Sequence, residues 1–329
     1  MKALLSCVTG GPDTLVLSEV EDPTPGPREV RIAVKACAIN YPDVLIIEDR
    51  YQFHPARPFS PGAEVSGVID AVGADVTGLA PGTRVLAYTG WGGLAERVTV
   101  RADRCIPIPA DLPFDLAASL QIAYGTALHA LEDRAALRPG ETLLVLGAAG
   151  GVGSAAIELG KILGARVVAA TSTSQKGRVA LERGADSTVA YPREITDPRS
   201  LAQQFKEACG GTADVVFDVI GGDYAQAALR TMAWEGRYLV VGFAAGVPQV
   251  ALNLPLLKGC QISGVFWGSH IERSPDRHAA QMRRLIQLCL CGKIHPLISE
   301  RFPLSGAGEA IASLGQRRAL GKVVVELTG

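Results

Sequence analysis

Residues 141–172 read ETLLVLGAAGGVGSAAIELGKILGARVVAATS, and this stretch decides the fold. Its apolar run at 142–146 is short and follows a Pro-Gly pair, which is typical of a buried strand. The glycine-rich turn 147–153 comes next, and apolar residues then recur at helical spacing as far as Gly164, a residue typical of a helix C-cap. A second apolar run at 166–171 predicts another strand. The stretch is therefore a strand–turn–helix–strand unit.

A unit of this kind binds the pyrophosphate of a dinucleotide, because glycines let backbone N–H groups approach the phosphates and a helix N-terminus favours negative charge. Ala148 stands at the first glycine position of G-x-G-x-x-G, but the surrounding strand, turn and helix are the context that the motif requires. A tight turn that binds nothing is the alternative interpretation. No Gly-Lys-Ser/Thr follows, which excludes a kinase-type P-loop. The predicted cofactor contacts in the turn are Ala149, Gly150, Gly151, Val152 and Gly153.

The end of the second strand indicates which dinucleotide binds. An NAD enzyme usually carries an Asp or Glu about twenty residues after the turn, for the ribose 2′-hydroxyl. Here hydroxyl residues, Ser172 among them, are followed by Lys176, and no carboxylate occurs between Glu158 and Glu182. Hydroxyls and a lysine suit a 2′-phosphate better than a free ribose. The sequence therefore predicts NADPH, bound in part through Ser172 and Lys176.

Composition limits the other possibilities. A chain of 329 residues suits two domains. Its net charge of −1 argues against a nucleic-acid or membrane-surface role driven by bulk electrostatics. Seven scattered cysteines without a Cys-x-x-Cys are typical of reduced thiols in a cytoplasm. The apolar start ends before Asp13, unlike a signal sequence, and the uncharged stretch 238–257 contains two prolines, unlike a membrane span. We expect a cytoplasmic protein.

The pattern of predicted elements changes twice along the chain. Residues 1–119 are rich in short strands and Pro-Gly turns, residues 120–267 alternate strands with helices, and residues 268–329 return to strands after one helix. The alternation in the middle predicts a doubly wound parallel sheet. The predicted strands are 29–36, 65–72, 84–87, 96–100, 142–147, 166–171, 188–191, 214–219, 238–242, 261–266, 294–298 and 322–327. The predicted helices include 117–131, 154–163 and 275–290.

Four stretches carry a resemblance to a known family. They are AINYPD at 38–43, PGAEVSG at 61–67, AYGTA at 123–127, and the glycine turn with QK at 175–176. With them the chain resembles the medium-chain dehydrogenase/reductase superfamily, and within it the zinc-independent NADPH:quinone oxidoreductase group. The resemblance implies an α/β fold in which a Rossmann doubly wound parallel sheet (120–267) accompanies a β-rich, GroES-like catalytic domain (1–119) to which residues 268–329 return. It also implies a homodimer in which the sixth strand of the sheet pairs across the interface.

Zinc separates the branches of this superfamily. In the alcohol dehydrogenase branch a catalytic cysteine would stand near Asn40 and a histidine would precede Glu64. Here those places hold Asn40 and Ala63, and no cysteine of a structural zinc lobe occurs between Val85 and Arg104. Tetrahedral N/S coordination cannot be assembled from these residues. We therefore predict no metal.

Without a Lewis acid to hold an alcohol's oxygen, hydride delivery to an electrophilic acceptor is the easier reaction. The sequence thus predicts an enzyme that reduces a quinone or an α,β-unsaturated carbonyl with NADPH. An enoyl-thioester reductase is the first alternative. The second is a cofactor-binding protein without turnover that contacts RNA through a basic cluster (Arg273, Arg277, Arg283 and Arg284), although a solvated helix face explains this cluster better. No nucleic-acid or membrane partner is expected.

The resemblance also implies roles for residues outside the turn. Asn40 would hydrogen-bond near the nicotinamide ribose or the substrate oxygen. Tyr41 would donate a proton to the reduced product, since a tyrosine hydroxyl is protonated at neutral pH, or it would form the pocket wall while water supplies the proton. Thr126 would meet the nicotinamide side, and Tyr191 the adenosine phosphate region. The remaining predicted cofactor contacts follow the fifth and sixth strands: Gly242, Phe243, Phe266 and Trp267. The two last aromatics could instead belong to the core or an interface. We assign no chemistry to the five histidines.

Overall fold

The computed structural model describes residues 1–316 and 318–327. The chain divides into two compact units. The β-rich unit comprises Met1–Ile122, Ser274–Leu290 and the chain from Pro296 onward, and the parallel-sheet unit comprises Ala123–Arg273 and Cys291–His295. The chain thus first leaves the β-rich unit after Ile122 and first returns to it after Arg273.

The strands of the described residues are β1 (Lys2–Ser6), β2 (Leu15–Glu19), β3 (Glu29–Ile39), β4 (Glu64–Val72), β5 (Arg84–Tyr88), β6 (Arg97–Arg101), β7 (Cys105–Pro107), β8 (Thr142–Leu146), β9 (Arg166–Thr171), β10 (Ser187–Ala190), β11 (Ala213–Asp218), β12 (Met232–Val240), β13 (Gln261–Gly264), β14 (Ile298–Pro303) and β15 (Lys322–Glu326). The α-helices are α1 (Tyr41–Ile47), α2 (Phe114–Ala118), α3 (Gln121–Leu128), α4 (Gly151–Ile162), α5 (Ser174–Glu182), α6 (Pro198–Cys209), α7 (Tyr224–Thr231), α8 (Asn253–Lys258), α9 (Trp267–Arg273), α10 (Pro275–Leu290) and α11 (Ala307–Gly315). A π-helical turn, His129–Arg134, continues α3.

The β-rich unit contains a sheet with the strand order β14-β15-β3-β4-β5-β7, and β6 also pairs with β3. The first part of β3 alternates as predicted, since Val30, Ile32 and Val34 are buried between half-buried neighbours. The antiparallel register pairs Val323 of β15 with Ile39 of β3, and Ala38 of β3 with Glu64 of β4. Three adjacent strands therefore end or begin at the same edge of the sheet.

The parallel-sheet unit contains one six-stranded sheet in the order β10-β9-β8-β11-β12-β13, and every neighbouring pair in it is parallel. The strand order reverses between β8 and β11, which is the switch point of a doubly wound sheet. The four residues Leu143–Leu146 of β8 have no exposed surface, as expected for a strand covered on both faces. The predicted Rossmann sheet is confirmed.

Some predicted elements were misplaced. The strand predicted at 294–298 is wrong: Pro296 cannot donate to a strand ladder, and β14 starts only at Ile298. The helix predicted at 117–131 is interrupted between α2 and α3. The strand predicted at 261–266 stops at Gly264, and Trp267 opens a helix instead of ending a strand. None of the helices in the described part of the chain combines the length and apolar character that a membrane span requires.

Candidate active site

The glycine turn joins β8 to α4 and leaves the helix N-terminus open. Gly147 has a φ of +70°, which a larger residue would adopt only with strain. A Cβ added to Gly153 would lie 2.3 Å from the carbonyl oxygen of Gly147, so the turn and the first helical turn approach more closely than any side chain permits. Gly150 is the exposed N-cap residue. The first N–H groups of a helix have no partner within it, so those of Gly151, Val152 and Gly153 can bind an anion.

The second part of the predicted cofactor site follows β9 and β10. Ser172 is exposed immediately after β9, and Lys176 is half-buried in the first turn of α5. The side chain of Thr173, the N-cap residue of α5, accepts a hydrogen bond of 3.2 Å from the backbone N–H of Lys176. Tyr191 is buried directly after β10, with its ring centroid 4.8 Å from that of Tyr224. The turn therefore follows β8, Ser172 and Lys176 follow β9, and Tyr191 follows β10, all beyond the carboxyl ends of these parallel strands.

The remaining predicted cofactor contacts differ in exposure. Thr126 is half-buried in α3, and Gly242 and Phe243 follow β12, with Phe243 exposed. Phe266 is 49% exposed, whereas Trp267 is only 5% exposed. The ring of Trp267 packs against Gly125, where an added Cβ would lie 2.7 Å from the indole Nε1. This packing favours the core interpretation of Trp267, and the cofactor contacts themselves stay predictions.

The parallel-sheet unit fits a dinucleotide phosphate. The open start of the twelve-residue helix α4 follows the strand at the switch point, which is where α/β sheets bind such ligands. The hydroxyl of Ser154, buried in the first turns of α4, has no hydrogen-bond partner among the described residues. The open N-terminus of α4 and the Ser154 hydroxyl together indicate a binding site for a polar ligand at the start of this helix.

In the β-rich unit, Asn40 lies in a buried polar network. Its amide Nδ2 donates to the carbonyl oxygen of Ala38 and to Oε2 of Glu64, both at 3.0 Å. Its Oδ1 accepts a hydrogen bond of 2.7 Å from Nζ of Lys322, and the same ammonium donates to Glu64 Oε2 at 3.1 Å. Asn40, Glu64 and Lys322 are 6%, 0% and 4% exposed. We call these three residues the Asn40 network.

Asp43 ties the network to helix α1. Its carboxylate accepts hydrogen bonds from the backbone N–H of Asn40 at 2.7 Å and of Gly62 at 3.0 Å. The bond to Asn40 is the N3-to-N-cap half of a capping box. Burial raises the pKa of Asp43 from 3.8 to about 6, although the two backbone N–H groups and the charge of Lys322 favour the carboxylate. Glu64 uses its other oxygen to accept from the backbone N–H of Ile122 at 2.9 Å.

Tyr41 is the first residue of α1 and is half-buried against the core of the β-rich unit. Both N–H bonds of the Asn40 amide are used inside the unit, so a substrate or ribose hydroxyl could reach only the remaining lone pair of its Oδ1. The catalytic roles of Asn40 and Tyr41 stay predictions. Sequence reasoning missed Lys322 entirely, because it lies 282 residues from Asn40 in the chain.

The donor set around Asn40 does not fit a zinc ion. The oxygen atoms that could ligate a metal, Asn40 Oδ1 and Glu64 Oε2, both accept hydrogen bonds from the Lys322 ammonium. The neighbouring Cys37 is fully buried, and burial raises the pKa of its thiol well above the usual range. We therefore assign no metal-dependent step to this site.

A second polar cluster lies in the parallel-sheet unit and was not expected. Nδ1 of His129 is 2.7 Å from Oδ2 of Asp133, and Nε2 of His270 is 3.9 Å from the same oxygen. The three residues offer ligand atoms within 4.8 Å of one another. However, the two imidazoles are stacked, with centroids 4.0 Å apart and planes inclined by 17°, so their nitrogen lone pairs lie in two separate, nearly parallel planes, which is a poor arrangement for binding one ion. The pKa of His129 is lowered, chiefly by burial.

Known proteins share both halves of this arrangement. The model of the alcohol dehydrogenase GroES-like domain matches residues 26–110, and the model of the zinc-binding dehydrogenase family matches residues 151–287. Quinone oxidoreductase-like protein 2 of Bos taurus is 38% identical over 316 residues, which are 95% of this chain and 89% of that protein. The chain belongs to the quinone oxidoreductase group of the medium-chain dehydrogenase/reductase superfamily. The resemblance inferred from the four sequence stretches is thereby confirmed.

Two further members of this group extend the comparison. The quinone oxidoreductase of Pseudomonas aeruginosa is 32% identical, over 96% of each chain. The crystal structure of Escherichia coli quinone oxidoreductase complexed with NADPH superimposes with a TM-score of 0.92 at 26% identity and covers 99% of this chain and 100% of that one. Both the GroES-like fold of the β-rich unit and the Rossmann fold of the parallel-sheet unit are therefore those of the superfamily.

Proposed function

We propose that the protein is an NADPH-dependent oxidoreductase that reduces a quinone or an α,β-unsaturated carbonyl without zinc. The observation that carries this proposal is the Asn40 network. In it, the Lys322 ammonium donates hydrogen bonds to the two side-chain oxygens that a metal ion would need as ligands. Without a Lewis acid, the enzyme gains most from an acceptor that is already electrophilic. Oxidation of a simple alcohol is disfavoured for the same reason.

The choice of NADPH as cofactor is supported by Ser172 and Lys176, which follow β9. A lysine ammonium is a common partner of phosphate groups, and no carboxylate occurs between Glu158 and Glu182 to bind a free ribose. The Escherichia coli relative was crystallised with NADPH. The N–H groups of residues 151–153 would hold the pyrophosphate, and Ser172 with Lys176 would hold the 2′-phosphate.

When bound, NADPH supplies a hydride, that is, one proton and two electrons, and leaves as NADP⁺. The acceptor gains the hydride at an electrophilic atom and becomes an enolate or a quinol monoanion. A proton from Tyr41 or from water then completes the neutral product. Asn40, with its amide fixed, is proposed to orient the acceptor through its free lone pair; a hydrogen bond to the ribose is the alternative, which the NADPH affinity of an Asn40 variant tests.

The proton donor can be tested by Tyr41→Phe, which removes the hydroxyl and keeps the ring. If Tyr41 is an obligatory proton donor, this substitution should lower kcat by about 100-fold or more. An unchanged kcat would assign the proton to water and leave Tyr41 as part of the pocket wall.

The proposed function is tested by NADPH oxidation with a panel of quinones, enones and enoyl thioesters, each repeated with NADH. We expect turnover with quinones or enones and a lower KM for NADPH than for NADH. Turnover confined to enoyl thioesters would replace the proposal by the thioester reductase alternative. NADPH binding without turnover of any acceptor would indicate the non-catalytic alternative, in which binding of a fluorescent RNA would then be measured.

We also propose that two copies pair along β13. This strand is the last of its sheet, so its outer edge has no strand partner among the described residues, and Ile262 on it is 43% exposed. Exposed apolar residues of the same unit accompany it: Val247, Leu252, Leu256, Leu257 and Phe266. A bare strand edge beside apolar surface favours pairing with a second chain. Light scattering should give the mass of a dimer and, for Ile262→Lys, that of a monomer, whereas Leu181→Lys in α5 should leave the mass unchanged.

A further inference from the structure

Lys322 is a lysine buried in the core of the β-rich unit. It is 4% exposed, and its ammonium lies 2.7 Å from Asn40 Oδ1 and 3.1 Å from Glu64 Oε2. Removing a charge from water costs several kcal/mol unless close partners compensate for it. The ammonium of Lys322 therefore depends on the close acceptors that Asn40 and Glu64 supply.

What the ammonium does follows from hydrogen-bond chemistry. An ammonium only donates, so the Asn40 atom that it contacts must be the amide oxygen. The amide nitrogen must then face Ala38 and Glu64, both of which are acceptors. Without Lys322, Asn40 Oδ1 would lose its only hydrogen-bond donor in the network. The ammonium thus holds the amide oxygen in the orientation that the Ala38 and Glu64 acceptors also favour.

The strand register explains why these three residues meet. Lys322 opens β15, Asn40 follows β3, and Glu64 opens β4. Because β15 and β4 flank β3 with Val323 opposite Ile39 and Glu64 opposite Ala38, the three side chains stand at one edge of the sheet. Asn40 is also the N-cap of α1, whose first residue is Tyr41. A fixed Asn40 therefore fixes the start of the helix that carries Tyr41.

We propose that Lys322 is a positioning residue of the acceptor site: its buried ammonium anchors the Asn40 amide oxygen, and with it the start of α1, and it holds Glu64 between β3 and α3. This inference rests on the proposed function for its kinetic consequence, but its structural consequence is independent of any acceptor. Lys322 itself is not proposed to touch the cofactor or the substrate.

The test compares Lys322→Met with Arg301→Met. Methionine keeps much of the lysine's length without its charge, and the control removes a 47%-exposed cation of the same unit that pairs with Asp115. We expect Lys322→Met to lower kcat by about 10- to 100-fold, as a misplaced catalytic group does, while the Kd for NADPH, whose predicted contacts lie in the other unit, stays unchanged. The control should change neither quantity.

Hydrogen exchange separates failure of this inference from failure of the proposed function. Lys322→Met should speed amide exchange in a peptide spanning 38–47 and leave a peptide spanning 147–163 unchanged, whether or not an acceptor is turned over. Unchanged exchange in 38–47, or an unchanged kcat in the folded variant, would overturn the inference. An equal loss of NADPH affinity would also overturn it, because the effect would then be a general loss of structure.

A second variant is needed because Lys322→Met leaves the Glu64 carboxylate buried without its cation, which can prevent folding. Lys322→Met combined with Glu64→Gln removes both charges. We expect this double variant to fold with a higher Tm than Lys322→Met but to keep the low kcat and the fast exchange in 38–47, since Asn40 Oδ1 still lacks its ammonium partner. Recovery of both kcat and slow exchange in the double variant would show that only charge balance mattered and would overturn the inference.

Discussion

The glycine turn and the Asn40 network bind and position polar groups by opposite means. The turn spans seven consecutive residues, and the N–H groups of Gly151, Val152 and Gly153 have no partner within the helix that begins there. The network uses side chains at the ends of three strands, with opposite charges removed from water. A backbone site is sensitive to added volume, whereas a buried side-chain network is sensitive to lost charges and lost hydrogen bonds. Each region should therefore fail under a different kind of substitution.

The largest effect is expected at the turn. Gly153→Val places a side chain where even a Cβ would lie 2.3 Å from the Gly147 oxygen, so the turn must open and measurable NADPH binding should be lost. A fluorescence titration with NADPH tests this. Gly264→Ala is the matched control, because an added Cβ there has no neighbour within 4 Å. Tight binding by Gly153→Val would show that the close approach is not needed.

The next effect is a pH dependence of stability that comes from Asp43, beside the Asn40 network. Since burial raises the pKa of Asp43 from 3.8 to about 6 in the folded protein, the protonated form is favoured by folding. The stabilisation is fully present below about pH 4 and is lost as the pH rises through about 6, a change of about 3 kcal/mol. Asp43→Asn does not titrate. Urea unfolding should therefore show that the free energy of unfolding of the wild type increases relative to that of the variant as the pH falls from about 7 to about 4. A pH-independent difference would contradict this.

A smaller effect is expected for Asn40→Ala. The substitution removes one hydrogen-bond partner from Lys322 and one from Glu64, so the free energy of unfolding should fall by about 1–3 kcal/mol. NADPH affinity should not change, because the predicted cofactor contacts of the turn belong to the other unit. Urea unfolding and a parallel NADPH titration measure the two quantities. A loss of NADPH affinity without loss of stability would instead place Asn40 at the cofactor.

The smallest effect is expected at Lys176, in the first turn of α5. Lys176→Ala removes one charge-assisted contact with the 2′-phosphate and should weaken NADPH binding by about 10-fold. The affinity for NADH should be unaffected, so the preference between the two cofactors narrows. Lys206→Ala, on a different helix of the same unit, is the control. Equal weakening of both cofactors would show that Lys176 does not contact the 2′-phosphate.

The two regions also differ in what their sequence reveals. The turn could be predicted because all of its information is local: a strand, glycines and a helical pattern within 141–172, followed by Lys176. In the Asn40 network, the residue types Asn40 and Glu64 were visible, but their partner Lys322 was not. Its identity as a buried charge depends on strand register, and in sequence it resembles any lysine at the start of an apolar strand.

The same distinction explains the other misplaced elements. The strands β8 and β9 were located accurately because both are continuous apolar runs. The strand predicted at 294–298 failed because Pro296 and the following residues belong to the β-rich unit, whereas its first two residues, Ile294 and His295, belong to the parallel-sheet unit. There the backbone N–H of His295 donates to Glu158. The stacked pair of His129 and His270 was equally invisible, since the two residues are 141 positions apart in the sequence and only the fold brings the π-helical turn and α9 together.

The central claim is that hydride passes from NADPH to an activated acceptor. It is tested most directly with NADPH deuterated at C4 on either face and an enone as acceptor, with the product analysed by mass spectrometry. We predict that one of the two labelled cofactors transfers a single deuterium to the β-carbon of the product, with one NADP⁺ formed per product. Consumption of NADPH without deuterium in the reduced enone, or product formed without NADP⁺, would contradict the account.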